Sequence, residues 1–347
     1  MTLEEFLEEW NNDSEQVMVH TSGSTGKPKP MWVEKRRMEA SARITCDFLG
    51  LKEGDTALLC MSLDYIAGKM MVVRSLVRNL KLIVVEPTGN PLANVAVSKI
   101  DFAAMVPMQV YNSLQVPQER ERLKQIKHLI IGGGAIDETM ASELKDFPNY
   151  VWSTYGMTET LSHIALRRLN GPEASEWYKP FPSVEISQND DGCLVIDAPQ
   201  VCSERLVTND IVEISEAGFR IIGRKDNVIC SGGIKIQAEE VERILKPYVH
   251  DPFLITKRKD QKFGEIVVMM GEDRGKATGR RAELGNEREE EREERESLKT
   301  RLQSLCREHL PKYWQPRDFV FVEKLPMTET GKPARKQAEE LATQNYS

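Results

Sequence analysis

MEASARITCDFLGLKEGDTALLCM, residues 38–61, decides the fold class. Met38, Ala42, Thr45 and Leu49 recur at helical spacing and predict a helix with one apolar face. The run ALLCM from Ala57 then reads as a short buried strand. Working outward, VMVH before Thr21, LIVV from Leu82, AAMV from Ala103 and LII from Leu129 read the same way. Short apolar strands alternating with helical patterns predict an α/β protein with substantial parallel pairing. Ahead of them Leu3, Phe6, Leu7 and Trp10 share one helical face, with Glu4, Glu5, Glu8 and Glu9 opposite.

The texture changes after about Pro180. Residues 193–196 and 219–222 read as short strands in a β-rich stretch punctuated by Asn-Asp, Asp-Gly and Ala-Gly turns. A smaller α+β unit is expected to begin near Arg224. It holds a helix seamed by Val241, Ile244 and Leu245, strands PFLIT and EIVVMM, a helix carrying Leu298, Leu302, Leu305 and Leu310, and a strand DFVFV. The expected division is thus a large region with mixed sheets, residues 1–224, and a small domain, residues 225–347. Residues 271–296 are dense in charge and lack apolar periodicity. They read as a solvated loop grading into a polar helix, with a partner-binding segment as the alternative.

The 347 residues carry a net charge of −7, which leaves no basic surplus to neutralise phosphates, so nucleic acid is not the expected partner. The six cysteines are scattered without a C-x-x-C pair, which fits reduced thiols and offers no usual zinc spacing. The acidic start MTLEEFLEEW lacks the layout of a signal peptide. No apolar run approaches the ~20 residues of a membrane helix. A cytoplasmic protein with no membrane span is expected.

Chemistry concentrates in a few blocks. In His20-Thr-Ser-Gly-Ser-Thr-Gly-Lys-Pro-Lys29, glycines and hydroxyl residues bare the backbone N–H groups, and two lysines add charge. Such a loop suits polyphosphate oxygens. It is not a kinase-type P-loop, which would need glycine where Thr21 stands and Ser or Thr where Pro28 stands. LIIGGGAID fails the dinucleotide fingerprint at Asp137. Gly132, Gly133 and Gly134 either let a flat ligand approach the backbone or make a tight structural turn. In Ser153-Thr-Tyr-Gly-Met-Thr-Glu-Thr160, Tyr155 offers a face to a base and Glu159 a carboxylate to a hard cation, although a plain turn fits equally. Asp210 and Arg224 sit at expected strand ends, where one carboxylate and one guanidinium suit a ribose. Lys332 follows a glycine turn in LPMTETGKPAR and reads alone as a loop charge.

In this order and at these separations, the blocks resemble the adenylate-forming superfamily of acyl-CoA synthetases, luciferases and adenylation domains, from His20 to Arg335. The resemblance implies a phosphate loop of Thr21, Ser22, Gly23, Ser24, Thr25, Gly26, Lys27, Pro28 and Lys29. It implies Gly133, Gly134 and Gly156 as ATP-binding residues, Tyr155 packed on adenine, Thr158 near the α-phosphate, and Glu159 as the magnesium ligand. Asp210 and Arg224 match the ribose pair and Asp226 the hinge of the small domain. Ser231, Gly232 and Gly233 match the loop that lines the thiol channel, and Lys332 the lysine that bridges carboxylate and α-phosphate.

The implied reaction consumes ATP with Mg²⁺, forms an acyl-adenylate and passes the acyl group to coenzyme A. AAMVPMQVYNSL, the GGGAI turn and GRKDNVICSGGIKIQAEEVERIL further resemble the o-succinylbenzoate–CoA ligases of menaquinone biosynthesis. With Ser162 and His163 just beyond the YGMTET block, that likeness implies an aryl acid bearing a second anionic group. Another aryl or acyl acid, a carrier-protein phosphopantetheine as acceptor, and a non-catalytic nucleotide-binding relative stay open.

Three departures from the family pattern stand out. Only 20 residues precede Thr21, where family members carry a much longer stretch, so part of the large sheet is expected to be covered by the opening helix or by a second copy in a homo-oligomer. Asn209 replaces the glycine of the family's Thr-Gly-Asp. Tyr65 stands where many members place a histidine beside the acid.

Overall fold

The computed structural model describes residues 1–20, 30–95, 99–134, 136, 138–272, 287–328 and 333–344. The chain forms two compact units: Met1–Asn189 with Leu194–Thr208 and Ile214–Arg220, and Asp190–Cys193 with Asn209–Glu213 and Ile221–Ser347. No described helix is long and apolar enough to cross a membrane.

The first unit opens with α1 (Leu3–Asn11), started by a capping box in which Thr2 Oγ1 accepts from Glu5 N and the Glu5 carboxylate accepts from Thr2 N. Two strands follow, β1 (Gln16–His20) and β2 (Pro30–Glu34), paired antiparallel from Gln16↔Glu34 to His20↔Pro30. Val17 and Val19 point inward while Met18 is exposed, so β1 is half-buried and not the fully buried strand its apolar run suggested. Residues 21–29 join the two strands and lie outside the described residues. Next comes α2 (Lys35–Leu49), which buries Met38, Ala42, Thr45 and Leu49, the face its spacing announced.

A repeating strand–helix segment then builds the main sheet: β3 (Thr56–Leu59), α3 (Ile66–Arg78), β4 (Lys81–Val84), β5 (Ile100–Met105), α4 (Pro107–Gln115), α5 (Pro117–Gln125), β6 (Ile126–Ile131), α6 (Glu138–Leu144), β7 (Tyr150–Gly156), β8 (His163–Arg168) and β9 (Lys179–Pro180). Its seven strands run in the order β4-β3-β5-β6-β7-β8-β9. Pairing is parallel from β4 to β7 and antiparallel from β7 to β9, so the sheet is mixed. β5 is buried along its whole length, as central parallel strands are. β4 is not: it lies at the sheet edge with Val84 52% exposed. An apolar run shows that a strand forms but not whether a neighbour covers both its sides. Beyond β9, β10 (Glu185–Gln188) pairs antiparallel with β11 (Cys193–Asp197). Residues of β12 (Leu206–Ser215) and β13 (Gly218–Arg224) belong in part to each unit.

The second unit contains β14 (Val228–Ser231), β15 (Ile234–Gln237), α7 (Ala238–Leu245), β16 (Phe253–Asp260), β17 (Gly264–Glu272), α8 (Glu287–His309), β18 (Asp318–Val322) and α9 (Arg335–Gln344). The strands order as β15-β14-β17-β16, with β18 parallel to β17. Period-two alternation along β17 serves two cores. Val267 and Met269 pack with Val241, Leu245, Leu302 and Cys306, whereas Ile266, Val268 and Met270 pack with Ala338 and Ala342 of α9. Of the charge-dense segment, Glu272 ends β17 and Glu287 begins α8; residues 273–286 lie outside the described residues.

The opening helix is anchored by a buried cation. Lys69 of α3 is 3% exposed, and its Nζ lies 3.2 Å from a Glu9 carboxylate oxygen and 2.8 Å from the Met18 carbonyl. It also sits 5.3 Å from the centre of the buried Phe6 ring. The other Glu9 oxygen accepts from Met18 N at 3.2 Å, so one carboxylate ties α1 to both β1 and α3. Glu9→Ala strands that ammonium and is expected to cost about 3 kcal/mol in urea unfolding. Lys69→Met removes the charge with the stem retained and is expected to cost less. Equal costs would show that the ion pair does not govern the anchor.

Candidate active site

The end of β7 is an aromatic corner. Alternation along the strand buries Val151, Ser153 and Tyr155. The Tyr155 ring meets Phe219 edge-on at 5.0 Å and Tyr178 at 5.9 Å, while Ser153 Oγ and Tyr178 Oη share a hydrogen bond of 2.8 Å. The Arg167 guanidinium lies 5.2 Å from the Tyr178 ring centre. Tyr155 is 7% exposed, so little of it remains for a ligand while the edge contact with Phe219 holds it. At Gly156 the pairing with β8 shifts register, and a Cβ there would lie 2.3 Å from the Ser162 carbonyl oxygen and 2.5 Å from His163 Cα. Only glycine fits, and the resulting bulge turns the chain out of the sheet.

A single 3-10 turn, Thr158–Thr160, follows. Thr158 is 6% exposed, whereas Glu159 points to solvent. Thr160 is wholly buried. Its hydroxyl oxygen accepts from Met157 N at 3.1 Å and lies 2.8 Å from the Ser162 carbonyl, which braces the turn from inside. Leu161 completes it at φ +63°. Thr160 was not among the expected site residues; its signal was a second threonine in a motif where one already had a role. For magnesium, the donor chemistry fits. Mg²⁺ commonly takes one or two carboxylates and completes its shell with phosphate oxygens and water. Glu159 is one such exposed carboxylate, and the described residues hold no cluster of three or more His, Cys, Asp or Glu that would make an all-protein cage.

The glycines after β6 divide by role. A Cβ on Gly132 would lie 2.3 Å from Thr154 Oγ1, so that glycine answers to packing against β7. Gly133 adopts φ +80°, and a Cβ on Gly134 would stand 3.3 Å from Pro107. The turn is therefore required by the protein itself, whatever approaches it.

In the second unit Arg224 sits between two carboxylates. Its Nη1 donates to Asp210 at 2.9 Å and its Nη2 to Asp226 at 2.9 Å. Burial alone would lower the Arg224 pKa, but the charges and hydrogen bonds of Asp210 and Asp226 outweigh it and raise the value. Asn209, the residue in the glycine's place, donates to Asp226 at 3.2 Å. The expected ribose pair and the expected hinge residue thus form one hydrogen-bonded cluster. Ser231 is buried, and Gly232 (φ +60°) and Gly233 (φ +84°) turn the chain from β14 to β15. No atom lies within 4 Å of a Cβ built on Gly233, which leaves open space there. Lys332 and the whole phosphate-loop stretch from Thr21 to Lys29 lie outside the described residues.

On the acid side, Tyr65 is the N-cap residue of α3 and is 49% exposed. Ser162 meets α3 through Arg74, a residue that sequence reading passed over. Arg74 is 2% exposed. One Nη donates to Ser162 Oγ, the other lies 3.7 Å from Met71 Sδ, and Nε has no hydrogen-bond partner. No carboxylate pairs with it among the described residues, and burial brings its pKa down to about 10. His163, expected on the acid side, is buried, 7% exposed, with Nδ1 3.1 Å from Ser162 Oγ and Nε2 3.1 Å from Thr45 Oγ1. Burial, then the neighbouring Arg74 charge, hold its pKa well below the usual histidine value, so it stays neutral.

Gly156→Ala must displace backbone on β8, and overpacking of that kind costs about 1–3 kcal/mol. The expected result is a lower urea midpoint with an unchanged slope. An unchanged midpoint would show that the bulge yields freely.

Comparison with known proteins gives a consistent result. The family model described as AMP-binding enzyme matches residues 4–199, and its C-terminal domain counterpart matches residues 283–332. An acyl-CoA synthetase (AMP-forming)/AMP-acid ligase II-like protein of Dyadobacter fermentans is 34% identical, with a TM-score of 0.63 over 96% of this chain and 91% of that one. The 2-succinylbenzoate–CoA ligase of Listeria monocytogenes is 25% identical over 97% of this chain and 72% of its own length. O-succinylbenzoate coenzyme A synthetase of Bacillus subtilis, solved in complex with ATP and magnesium ion, shares the fold at 22% identity and a TM-score of 0.70, covering 92% of this chain and 69% of that one. With more than half of its residues matched by the first of these models, the chain belongs to the family of AMP-binding enzymes.

Proposed function

We propose that this chain is an AMP-forming acid–CoA ligase whose acid is an aryl dicarboxylate, 2-succinylbenzoate. The observation that carries the choice of acid is Arg74: a buried guanidinium, still protonated at neutral pH, with Nε unpaired and no carboxylate paired with it among the described residues. A buried cation of that kind is stable only when an anion or further acceptors meet it. A second carboxylate on the substrate supplies one. The curated relatives named for 2-succinylbenzoate support the same reading.

In this reading the residues divide the work. Residues 21–29 hold the β- and γ-phosphates, Tyr155 and Gly156 border adenine, and Asp210 with Arg224 grips the ribose hydroxyls. Glu159 would hold magnesium, which when bound would supply positive charge beside the phosphates. Thr158 lies by the α-phosphate. Lys332 bridges the acid carboxylate and the α-phosphate while the carboxylate oxygen attacks phosphorus and pyrophosphate leaves. No side-chain nucleophile is required. The thiol of coenzyme A then attacks the acyl carbon past Gly233, and AMP leaves. Lys332 and Gly233 serve different steps, so the smaller domain turns about Asp226 between them.

Two experiments test the proposal. Arg74→Met is expected to raise KM for 2-succinylbenzoate about 10- to 100-fold, the worth of a charge-assisted hydrogen bond, while KM for ATP holds. An unchanged acid KM would remove Arg74 from substrate binding. The second experiment separates the half-reactions. Lys332→Ala should lower pyrophosphate release by roughly 10²-fold and spare thioester formation from preformed acyl-AMP. Gly233→Leu should do the reverse. Equal loss of both steps in both variants would contradict an alternating domain.

A further inference from the structure

Around Arg74 the hydrogen bonds run in one direction. Arginine has donors and no acceptor, so its bond to Ser162 makes the serine oxygen the acceptor. The serine proton is then free to donate to His163 Nδ1, 3.1 Å away. An Nδ1 that accepts leaves the ring proton of a neutral imidazole on Nε2, and Nε2 donates to Thr45 Oγ1 at 3.1 Å. The Thr45 proton goes to the Ser41 carbonyl at 3.1 Å, one turn back on α2. From Ser162 onward every proton in the chain has an acceptor.

The opposite tautomer does worse. With the proton on Nδ1, the Ser162 oxygen receives two donors and its own proton has no acceptor in the chain. Thr45 must then choose between His163 and Ser41. Ser162 is only partly buried, so the cost falls at the other end, where a buried Nε2 or Ser41 carbonyl left without the Thr45 proton costs about 1–3 kcal/mol. Thr45 is fully buried and Ser41 nearly so, which leaves no water-filled alternative around that end. The same chain joins three elements: α2 through Thr45, β8 through His163 and α3 through Arg74.

We propose that His163 is a positioning residue, held as the neutral Nε2–H tautomer, which fixes Ser162 and through it turns the remaining N–H groups of Arg74 toward the second carboxylate of the acid. The inference rests on the aryl-dicarboxylate reading and adds a residue that touches neither substrate nor ATP. Removing the imidazole frees Ser162 to rotate and lets the guanidinium turn away, so binding of the remote anion weakens while ATP binding does not change.

The test has a spectroscopic and a kinetic arm. In the protein labelled with ¹⁵N-histidine, with the His163 signals assigned by their loss in His163→Asn, the expected pattern is a protonated Nε2 and a bare Nδ1. A protonated Nδ1 overturns the inference, whatever the variants do. Kinetically, His163→Phe keeps the ring volume and removes both nitrogens. KM for 2-succinylbenzoate is expected to rise about tenfold, with kcat and the KM for ATP within about twofold of wild type. His163→Asn, whose amide oxygen can take the Nδ1 position, should recover most of that loss. An aryl monocarboxylate should show the same KM in all three proteins. Equal effects of His163→Phe and His163→Asn, or a parallel rise in the KM for ATP, reduce His163 to a packing residue and overturn the inference. The Arg74→Met measurement separates the two levels. If it leaves the acid KM unchanged, the dicarboxylate reading fails. If it raises that KM and His163→Phe does not, only the positioning role fails.

Discussion

Arg74 gives up nearly all its hydration when α3 packs into the larger unit, and a guanidinium so placed costs several kcal/mol unless its N–H groups find acceptors. Much of the surrounding arrangement reads as a response to that constraint. Ser162 supplies one acceptor, His163 and Thr45 supply the proton order that keeps Ser162 an acceptor, and the Phe102 ring lies 6.0 Å from the guanidinium carbon. The protein supplies no carboxylate among the described residues. A folded protein keeps such a cation incompletely paired at a cost in stability, and here the unpaired group is Nε.

The same unit holds its other reactive positions by close approach of backbone. Gly156 lets β7 and β8 approach to a distance at which no Cβ fits, and that contact places His163 opposite Gly156 at the end of β7, with Ser162 just before it. The turn that follows, braced internally by Thr160, leaves Glu159 in solvent while its neighbours Thr158 and Thr160 are buried. One bulge therefore fixes two things at once: where the exposed Glu159 carboxylate emerges and where the Arg74 chain begins. In the second unit a comparable economy joins Asp210, Arg224 and Asp226 in a single cluster, so the grip expected on ribose and the expected hinge share one guanidinium.

Legibility in the sequence followed the range of the interactions. The α/β alternation, the helical face of α2 and the YGMTET block were readable because their signals lie within a few consecutive residues. The edge position of β4 was not, since LIVV looks alike in a central strand and at a border. Arg74 was hidden for a related reason. It lies in the otherwise apolar run MMVVRSLV, and its partner Ser162 stands 88 residues away, so no local pattern joins them. His163 was noticed for its place beside the motif, but its burial and its bonds to Ser162 and Thr45 were not legible, because Thr45 stands 118 residues away. The glycines after β6 carried a mixed message: Gly132 serves the packing of Thr154, a contact invisible until β6 and β7 are paired.

In the proposed ligase an anionic group remote from the reacting carboxylate completes the charge of Arg74. Pyrophosphate release by the wild-type protein, with ATP and coenzyme A saturating, measures this directly over paired acids that differ only in that group. 2-Succinylbenzoate should exceed its counterpart with the second carboxylate converted to a neutral amide by about 10- to 100-fold in kcat/KM, most of it in KM. Equal kcat/KM for the pair, or preference for a simple fatty acid over both, would contradict the claim.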